Sequence, residues 1–341
     1  MINISINGYG RIGRAIHRIA LQRNDINVVS INDINPDINN IAYLLNYDST
    51  YGRINDKATI ESDCVVIGKS KTKVYNIENI DNVPWQEQHV DILIDSSGVS
   101  KNIELSKKIK GKVKHIIFTN SPNENLIDKT IVYGVNNQDI DKNKDFLISS
   151  SICDAVAFAP IAKLIDDLYQ IERGFLTTLH PWLAYQNLLD GPSKSYAVPG
   201  NIMDNYALGR TSPMTLIPKS TSAISATYKI LPNLKDKFTA MSYRIPTNII
   251  SSGDITIKVK KPVDKEKLIS DLEKYQDNHP NILMINEEAL ISSDFIGSPI
   301  SVIVDKRFLK VEDNFIKILT WYDNEWGYSS RVVDLIQYLS H

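Results

Sequence analysis

The chain has 341 residues, 38 of them basic and 40 acidic, for a formal net charge of −2. That balance gives no electrostatic case for a nucleic-acid partner, and no apolar run approaches the ~18 residues that a membrane span needs. Two cysteines exclude a disulfide framework and fit a reducing, cytoplasmic compartment. No charged and apolar leader precedes the first strand, and the length points to two domains.

Residues 2–6, Ile-Asn-Ile-Ser-Ile, alternate as a strand. Gly8-Tyr9-Gly10-Arg11-Ile12-Gly13 follows, then a helical stretch through Ala15, Ile16, Ile19 and Ala20, then a second strand, Val28 to Asn32, ending at Asp33. Strand, Gly-x-Gly-x-x-Gly, helix, strand and acid together predict a dinucleotide site. Gly8 permits the tight turn, Gly10 lets the backbone approach a pyrophosphate, and Gly13 lets the helix lie close to the strand. The pyrophosphate rests on the helix N-terminus. Asp33, twenty residues past Gly13, is placed to hold a ribose 2′-hydroxyl and to repel a 2′-phosphate. Ile34 supplies no offsetting cation, so the expected cofactor is NAD rather than NADP. The alternative is a tight turn without a ligand.

Residues 57–75 predict a hairpin turning near Gly68, with Cys64 structural. Val90 to Asp95 reads as a buried parallel strand ending in Ser96-Ser97-Gly98, and Val113 to Phe118 as another ending in Thr119. Loops after the carboxyl ends of such strands are where a dinucleotide lies. Val132 to Asn136 and Phe146 to Ile148 are expected to complete the sheet.

The chain then reaches Ser149-Ser150-Ser151-Ile152-Cys153-Asp154. Apolar residues at helical spacing follow, from Val156 through Leu168. Cys153 is thus expected at a helix N-terminus, where free N–H groups and the helix dipole favour a thiolate nucleophile that reacts faster than a free cysteine. The alternative is an inert core cysteine. Residues 174–180 predict a strand ending at His180, followed by a long Gly- and Pro-containing segment to about Pro218. Strands are expected at Phe238 to Ile245, Ile249 to Lys260 and Ser301 to Val304, with a charged helix at about 263–276. A strand from Phe315 and an amphipathic helix through Val332 to Leu339 close the chain. The fold class is α/β: a Rossmann-type dinucleotide-binding domain plus an α+β catalytic domain on a mostly antiparallel sheet. The expected division is 1–152, 153–323, and a C-terminal helix, 324–341, that returns to the first domain.

With these stretches in place the chain resembles the glyceraldehyde-3-phosphate dehydrogenase family from end to end. The likeness is carried by Ile6 to Arg14, Leu44 to Arg53, Thr177-Thr178-Leu179-His180, Asp190 to Ser193, Tyr243 to Thr247, Ser292 to Pro299 and Trp321 to Tyr328. Thr130 to Asn136 is also similar to the related erythrose-4-phosphate dehydrogenases. The resemblance implies that Cys153 attacks an aldehyde to form a thiohemiacetal. It implies that His180 holds the thiolate as an ion pair and then takes the proton as hydride leaves. It also implies that Asn324 fixes the nicotinamide carboxamide with Tyr328 beside the ring, that Arg11 and Ile12 touch the cofactor, and that Arg244 and Thr221 bind substrate phosphate. A homotetramer is implied, with 181–218 against a neighbour's cofactor, and no metal.

The chain departs from the family at the phosphate sites. Phosphorylating members carry Ser-Cys-Thr-Thr-Asn-Cys where this chain has Ile152-Cys153-Asp154-Ala155-Val156-Ala157. Leu183 stands in place of a phosphate-gripping threonine, an arginine cluster is reduced to Leu208-Gly209-Arg210, and a Thr-Gly pair reads Thr221-Ser222. Asp154 adds a negative charge that repels a second one ~5 Å away by roughly 3 kcal/mol at an effective dielectric near 20. It is either a base that activates water for hydrolysis or a helix cap, and it should raise the thiol pKa. The expected activity is NAD-dependent oxidation of a small, sugar-derived aldehyde. Hydrolytic release of the erythrose-4-phosphate dehydrogenase type and a catalytically silent NAD-binding paralogue are the alternatives.

Overall fold

The computed structural model describes residues 1–341. Nineteen strands and seven α-helices follow in chain order. The first half holds β1 (Ile2–Asn7), α1 (Arg11–Ala20), β2 (Ile26–Asn32), α2 (Ile38–Asn46), β3 (Tyr47–Asp48), β4 (Gly52–Arg53), β5 (Thr59–Glu61), β6 (Cys64–Ile67), β7 (Ser70–Tyr75), β8 (Ile92–Asp95), α3 (Lys101–Ser106), β9 (His115–Phe118), β10 (Lys129–Thr130) and β11 (Leu147–Ser149). The second half holds α4 (Cys153–Tyr169), β12 (Ile171–Pro181), β13 (Ile217–Lys219), α5 (Ala223–Tyr228), β14 (Phe238–Ile245), β15 (Ser251–Val259), α6 (Lys265–Asn278), β16 (Leu283–Asn286), β17 (Val302–Asp305), β18 (Lys310–Glu312), β19 (Phe315–Tyr322) and α7 (Trp326–Ser340).

The first sheet runs β10-β11-β9-β8-β1-β2-β7-β6-β5, parallel from β10 to β7. β8 and β9 are mostly apolar, as strands covered on both faces tend to be, and every residue of the two is buried. The second sheet runs β13-β14-β12-β15-β19-β17-β16. Its β12/β14 and β16/β17 pairs are parallel and the rest antiparallel.

Two expectations need correction. Residues 132–136 are not a strand. Buried Asn136 accepts from Val132 N at 2.8 Å and donates to Thr130 O at 3.0 Å, folding the segment into a turn through Gly134, whose φ is +85°. Residues 57–75 are a three-stranded meander rather than one hairpin: the turn near Gly68 is present, and β5 adds an antiparallel third strand.

α4 connects the two halves. Its Val156 and Ala159 belong to a core with Ile4, Ile6 and Ile94, whereas its Phe158, Ile161 and Ile165 belong to a core with Leu176, Ile255 and Ile318. α7 lies on α1 and gives Val332, Val333 and Ile336 to the first core. The N-terminus of α4 is thereby set between the carboxyl edge of the parallel sheet and one face of the second sheet.

Candidate active site

Cys153 is the first residue of α4, and Ile152 before it offers no side-chain cap. The chain turns into the helix through Ser151 in a left-handed conformation, φ +61°. The turn is pinned from α7: the Tyr328 hydroxyl donates to Ser151 O at 3.1 Å and shares a 2.7 Å hydrogen bond with the Ser150 hydroxyl.

Sheet register brings the rest. Arg244 stands beside His180 across the β12/β14 pair and beside Ile217 across β13/β14, while Ser251 stands beside Tyr322 across β15/β19. Residues directly across a sheet share a face, so Arg244, His180 and Tyr322 all project toward the start of α4. His180, 3 % exposed, places Nε2 at 3.6 Å from Cys153 Sγ. Its Nδ1 lies 2.8 Å from the carbonyl oxygen of Pro181. A carbonyl only accepts, so Nδ1 carries the hydrogen and Nε2 presents its lone pair to the thiol.

Asp154 is 7 % exposed and turned into the site. Its Oδ1 lies 3.7 Å from Cys153 Sγ and 3.9 Å from His180 Nε2, and accepts the Tyr322 hydroxyl at 2.8 Å. Its Oδ2 is 3.4 Å from the Thr221 hydroxyl. The carboxylate does not cap α4. Burial, and then the Asp154 charge, push the Cys153 thiol well above its ordinary range. Burial and the Arg244 guanidinium pull His180 down to about 4. Both shifts favour thiol and neutral imidazole over the thiolate–imidazolium pair expected from the sequence, because desolvation and a neighbouring carboxylate oppose the helix dipole. Arg244 is 7 % exposed, donates weakly to the Tyr185 hydroxyl at 3.4 Å, and keeps its Nε buried without a partner.

The glycine loop behaves as its sequence requires. Gly8 has φ +87°, and a Cβ there would sit 2.4 Å from Ser97 N; at Gly13 it would sit 2.3 Å from Gly8 O. At Gly10 nothing lies within 4 Å, so the backbone is open to an approaching phosphate. Asp33 accepts from Tyr9 N at 2.5 Å and Asn35 N at 2.8 Å. Ser97 and Gly98 follow the carboxyl end of β8, with Ser97 against Gly8, and Thr119 follows that of β9. Asn324, 4 % exposed, keeps Oδ1 buried without a partner, an acceptor free for a carboxamide N–H. Ile12 follows Arg11 in the first turn of α1. The Arg11 guanidinium is engaged by Asp48 and Glu325 at 2.5 Å each, which leaves its backbone N–H as what it can offer a phosphate.

The family model described as the glyceraldehyde 3-phosphate dehydrogenase NAD binding domain matches residues 2–103, and the one described as the C-terminal domain matches 152–324. The chain is 39 % identical to glyceraldehyde-3-phosphate dehydrogenase of Ogataea parapolymorpha, over 99 % of this chain and 98 % of that protein. It is 38 % identical to the Neurospora crassa protein of that name, covering 100 % and 98 %, and 36 % identical to glyceraldehyde-3-phosphate dehydrogenase 1 of Saccharomyces cerevisiae, covering 100 % and 99 %. The chain belongs to the glyceraldehyde-3-phosphate dehydrogenase family. It is an oxidoreductase, and NAD is its cofactor. The open backbone at Gly10, the orphan acceptor on Asn324 and the Asp33 carboxylate fit that cofactor.

Within this glyceraldehyde-3-phosphate dehydrogenase frame, the departures in sequence become contacts. Thr221 is turned toward Asp154 and accepts from Ala223 N at 3.1 Å. Arg210 lies on the surface, paired with Asp190 at 2.7 Å. Two residues escaped the sequence reading. Tyr322 anchors Asp154; its signal was a polar residue on the inward parity of Ile316, Ile318 and Thr320. Lys219 ends β13 opposite Ser242, one row from Arg244; burial and Arg244 lower its pKa, while Asp154 and Cys153 oppose that. Its signal was a cation on the inward parity of Ile217.

Proposed function

We propose that this member oxidises a small aldehyde carrying an anionic group, through a thiohemiacetal and then a thioester on Cys153, and that water rather than phosphate releases the product. The observation that carries the reading is the Cys153–His180 pair at 3.6 Å with the buried Asp154 carboxylate within 3.9 Å of both. As Sγ bonds to the carbonyl carbon, the thiol proton passes to His180 Nε2 and on to the carbonyl oxygen, giving the thiohemiacetal hydroxyl. NAD, when bound, accepts the aldehyde hydrogen as hydride. His180 takes back the hydroxyl proton and the thioester remains. Arg244, with its unpartnered Nε, suits the substrate's anionic group; glyceraldehyde 3-phosphate, named in the relatives, is the first candidate.

Release is where this chain differs. An incoming phosphate meets the Asp154 carboxylate, and roughly 3 kcal/mol of repulsion corresponds to on the order of a hundredfold in affinity. Water meets no such penalty, and the same carboxylate is placed to take its proton. Gly8, Gly10, Ile12, Gly13, Arg11, Asp33, Ser97, Gly98, Thr119, Asn324 and Tyr328 hold NAD in this reading. Residues 1–152 form the NAD-binding domain and 153–323 the catalytic domain, with 324–341 returning to the first, a division supported by the separate cores. A homotetramer is supported by apolar side chains left in water, among them Leu188, Leu189, Met214 and Leu216 in the 181–218 segment and Phe175 and Met241 on the outer sheet face. Two free cysteines fit a cytoplasmic setting.

The test mixes protein, NAD and glyceraldehyde 3-phosphate, first without and then with phosphate, and follows NADH. A burst of about one NADH per site followed by turnover without phosphate is expected. Turnover only with phosphate overturns the hydrolytic step. No NADH from this or a panel of unphosphorylated aldehydes overturns the catalytic reading in favour of a silent paralogue.

A further inference from the structure

Cys153 Sγ, His180 Nε2 and Asp154 Oδ1 form a triangle with sides of 3.6, 3.7 and 3.9 Å. Three ligands of a tetrahedral zinc ion, with bonds of about 2.3 Å to sulfur and about 2.0–2.1 Å to nitrogen and oxygen, stand about 3.3–3.6 Å apart. We propose that these three side chains are a binding site for a borderline-soft divalent cation, Zn²⁺ being the best fit, and that its occupancy switches the enzyme off.

The surroundings are those of a built metal site. A ligating histidine characteristically donates its other ring hydrogen to a carbonyl or carboxylate, and a ligating carboxylate is itself hydrogen-bonded. Here His180 Nδ1 meets Pro181 O at 2.8 Å, which leaves Nε2 as a bare lone pair facing Sγ. Tyr322 donates to Asp154 at 2.8 Å, holding the carboxylate toward the other two ligands. Cys153 is the one partly exposed member of the three, so an ion has an entry path and the fourth position opens toward the substrate side.

The donor set selects the metal. Thiolate and imidazole suit zinc, whereas Mg²⁺ and Ca²⁺ require oxygen shells. On binding, the thiol releases its proton to solvent and sulfur bonds the metal. Thiolate and carboxylate then balance its two charges, and Arg244 beside them further disfavours ions that bind by charge alone. A sulfur and an imidazole held by the ion serve neither as nucleophile nor as base, so aldehyde oxidation stops. The inference rests on the positions of these side chains rather than on the identity of the aldehyde or the mode of release.

The test uses the full chain, stripped with a chelator and free of NAD and aldehyde, titrated with Co²⁺ as a spectroscopic stand-in. One Co²⁺ per chain is expected, with a thiolate charge-transfer band and the intense visible absorption of a four-coordinate ion, displaced by Zn²⁺ but not by Mg²⁺. Asp154→Asn should weaken binding by roughly 10–100-fold, and Tyr322→Phe by about tenfold through its loss as a supporting hydrogen bond. Cys153→Ser should abolish the charge-transfer band, and Zn²⁺ should protect Cys153 of the unmutated protein from alkylation. The weak spectrum of hydrated Co²⁺ at saturation, equal affinity in Asp154→Asn, or displacement by Mg²⁺ each overturns the proposal. Because no aldehyde or NAD is present, these outcomes are independent of whether the oxidation reading holds.

Discussion

The Tyr322 hydroxyl donates to Asp154 Oδ1 at 2.8 Å, across 168 residues of sequence, and both groups are buried. This hydrogen bond turns the carboxylate away from the helix end that it would otherwise cap and toward the reactive sulfur. It makes Asp154 a part of the site rather than a part of α4.

Replacing Tyr322 by Phe removes that donor and leaves a buried carboxylate with only two long contacts, 3.4 Å from the Thr221 hydroxyl and 3.7 Å from the Cys153 thiol. An unsatisfied buried group costs ~1–3 kcal/mol. Urea unfolding should show a free energy lower by that amount, read as a lower midpoint with an unchanged slope. An unchanged midpoint would mean that water replaces the hydroxyl at no cost.

Asp154→Thr removes the charge that, after burial, does most to hold the thiol protonated. In metal-stripped protein, alkylation of Cys153 near neutral pH should speed up by about tenfold or more, since one pKa step is a tenfold change in thiolate fraction. Phosphate-dependent NADH production should rise by on the order of a hundredfold. The alkylation half is checked with iodoacetamide and mass spectrometry, where buried Cys64 serves as an internal standard.

Stability should fall in mild acid. His180 and His17 are buried and held neutral, at about 4 and about 3 against 6.5 when free; His17 shares a 2.6 Å hydrogen bond with the Tyr9 hydroxyl. Between pH 6.5 and about 4 the unfolded chain binds protons that the folded chain refuses, so stability drops as pH falls. Two groups give a slope of up to ~2.7 kcal/mol per pH unit. Denaturant midpoints across pH 7 to 4.5 test this; a flat profile would show that both rings charge without unfolding.

Gly13→Ala should damage both cofactor binding and folding, because its Cβ meets the backbone oxygen of Gly8 at 2.3 Å, an atom that cannot move aside as a side-chain end can. By contrast, Gly10→Ala meets nothing within 4 Å and should fold normally while weakening NAD, since the added methyl occupies the space a pyrophosphate approaches. Calorimetric titration with NAD, alongside thermal melts, separates the two outcomes.

The dinucleotide half was legible because its signals are local. Gly8, Gly10, Gly13 and Asp33 lie within one strand–helix–strand unit, and each residue type answers to a backbone demand made within a few positions. The position of Cys153 at a helix start was legible for the same reason, from a strand, a turn and then helical spacing. The turn at 132–136 was not, since an apolar Val-Tyr-Gly-Val run has strand composition and only the bonds of buried Asn136 to Val132 N and Thr130 O fold it back.

By itself, the sequence determined the family and the cofactor and singled out Cys153 and His180, because those depend on residue types in short ordered patterns. The tertiary structure alone decided the surroundings of those two residues. Register across β14, β12 and β19 sets Arg244, His180 and Tyr322 on one face, and α4 lowers Cys153 and Asp154 onto it. Burial and charge then act over distances that no spacing in the chain encodes. They push toward a neutral thiol and imidazole where the helix dipole alone argued for an ion pair, and they turn Asp154 from a helix-end residue into the third corner of the site.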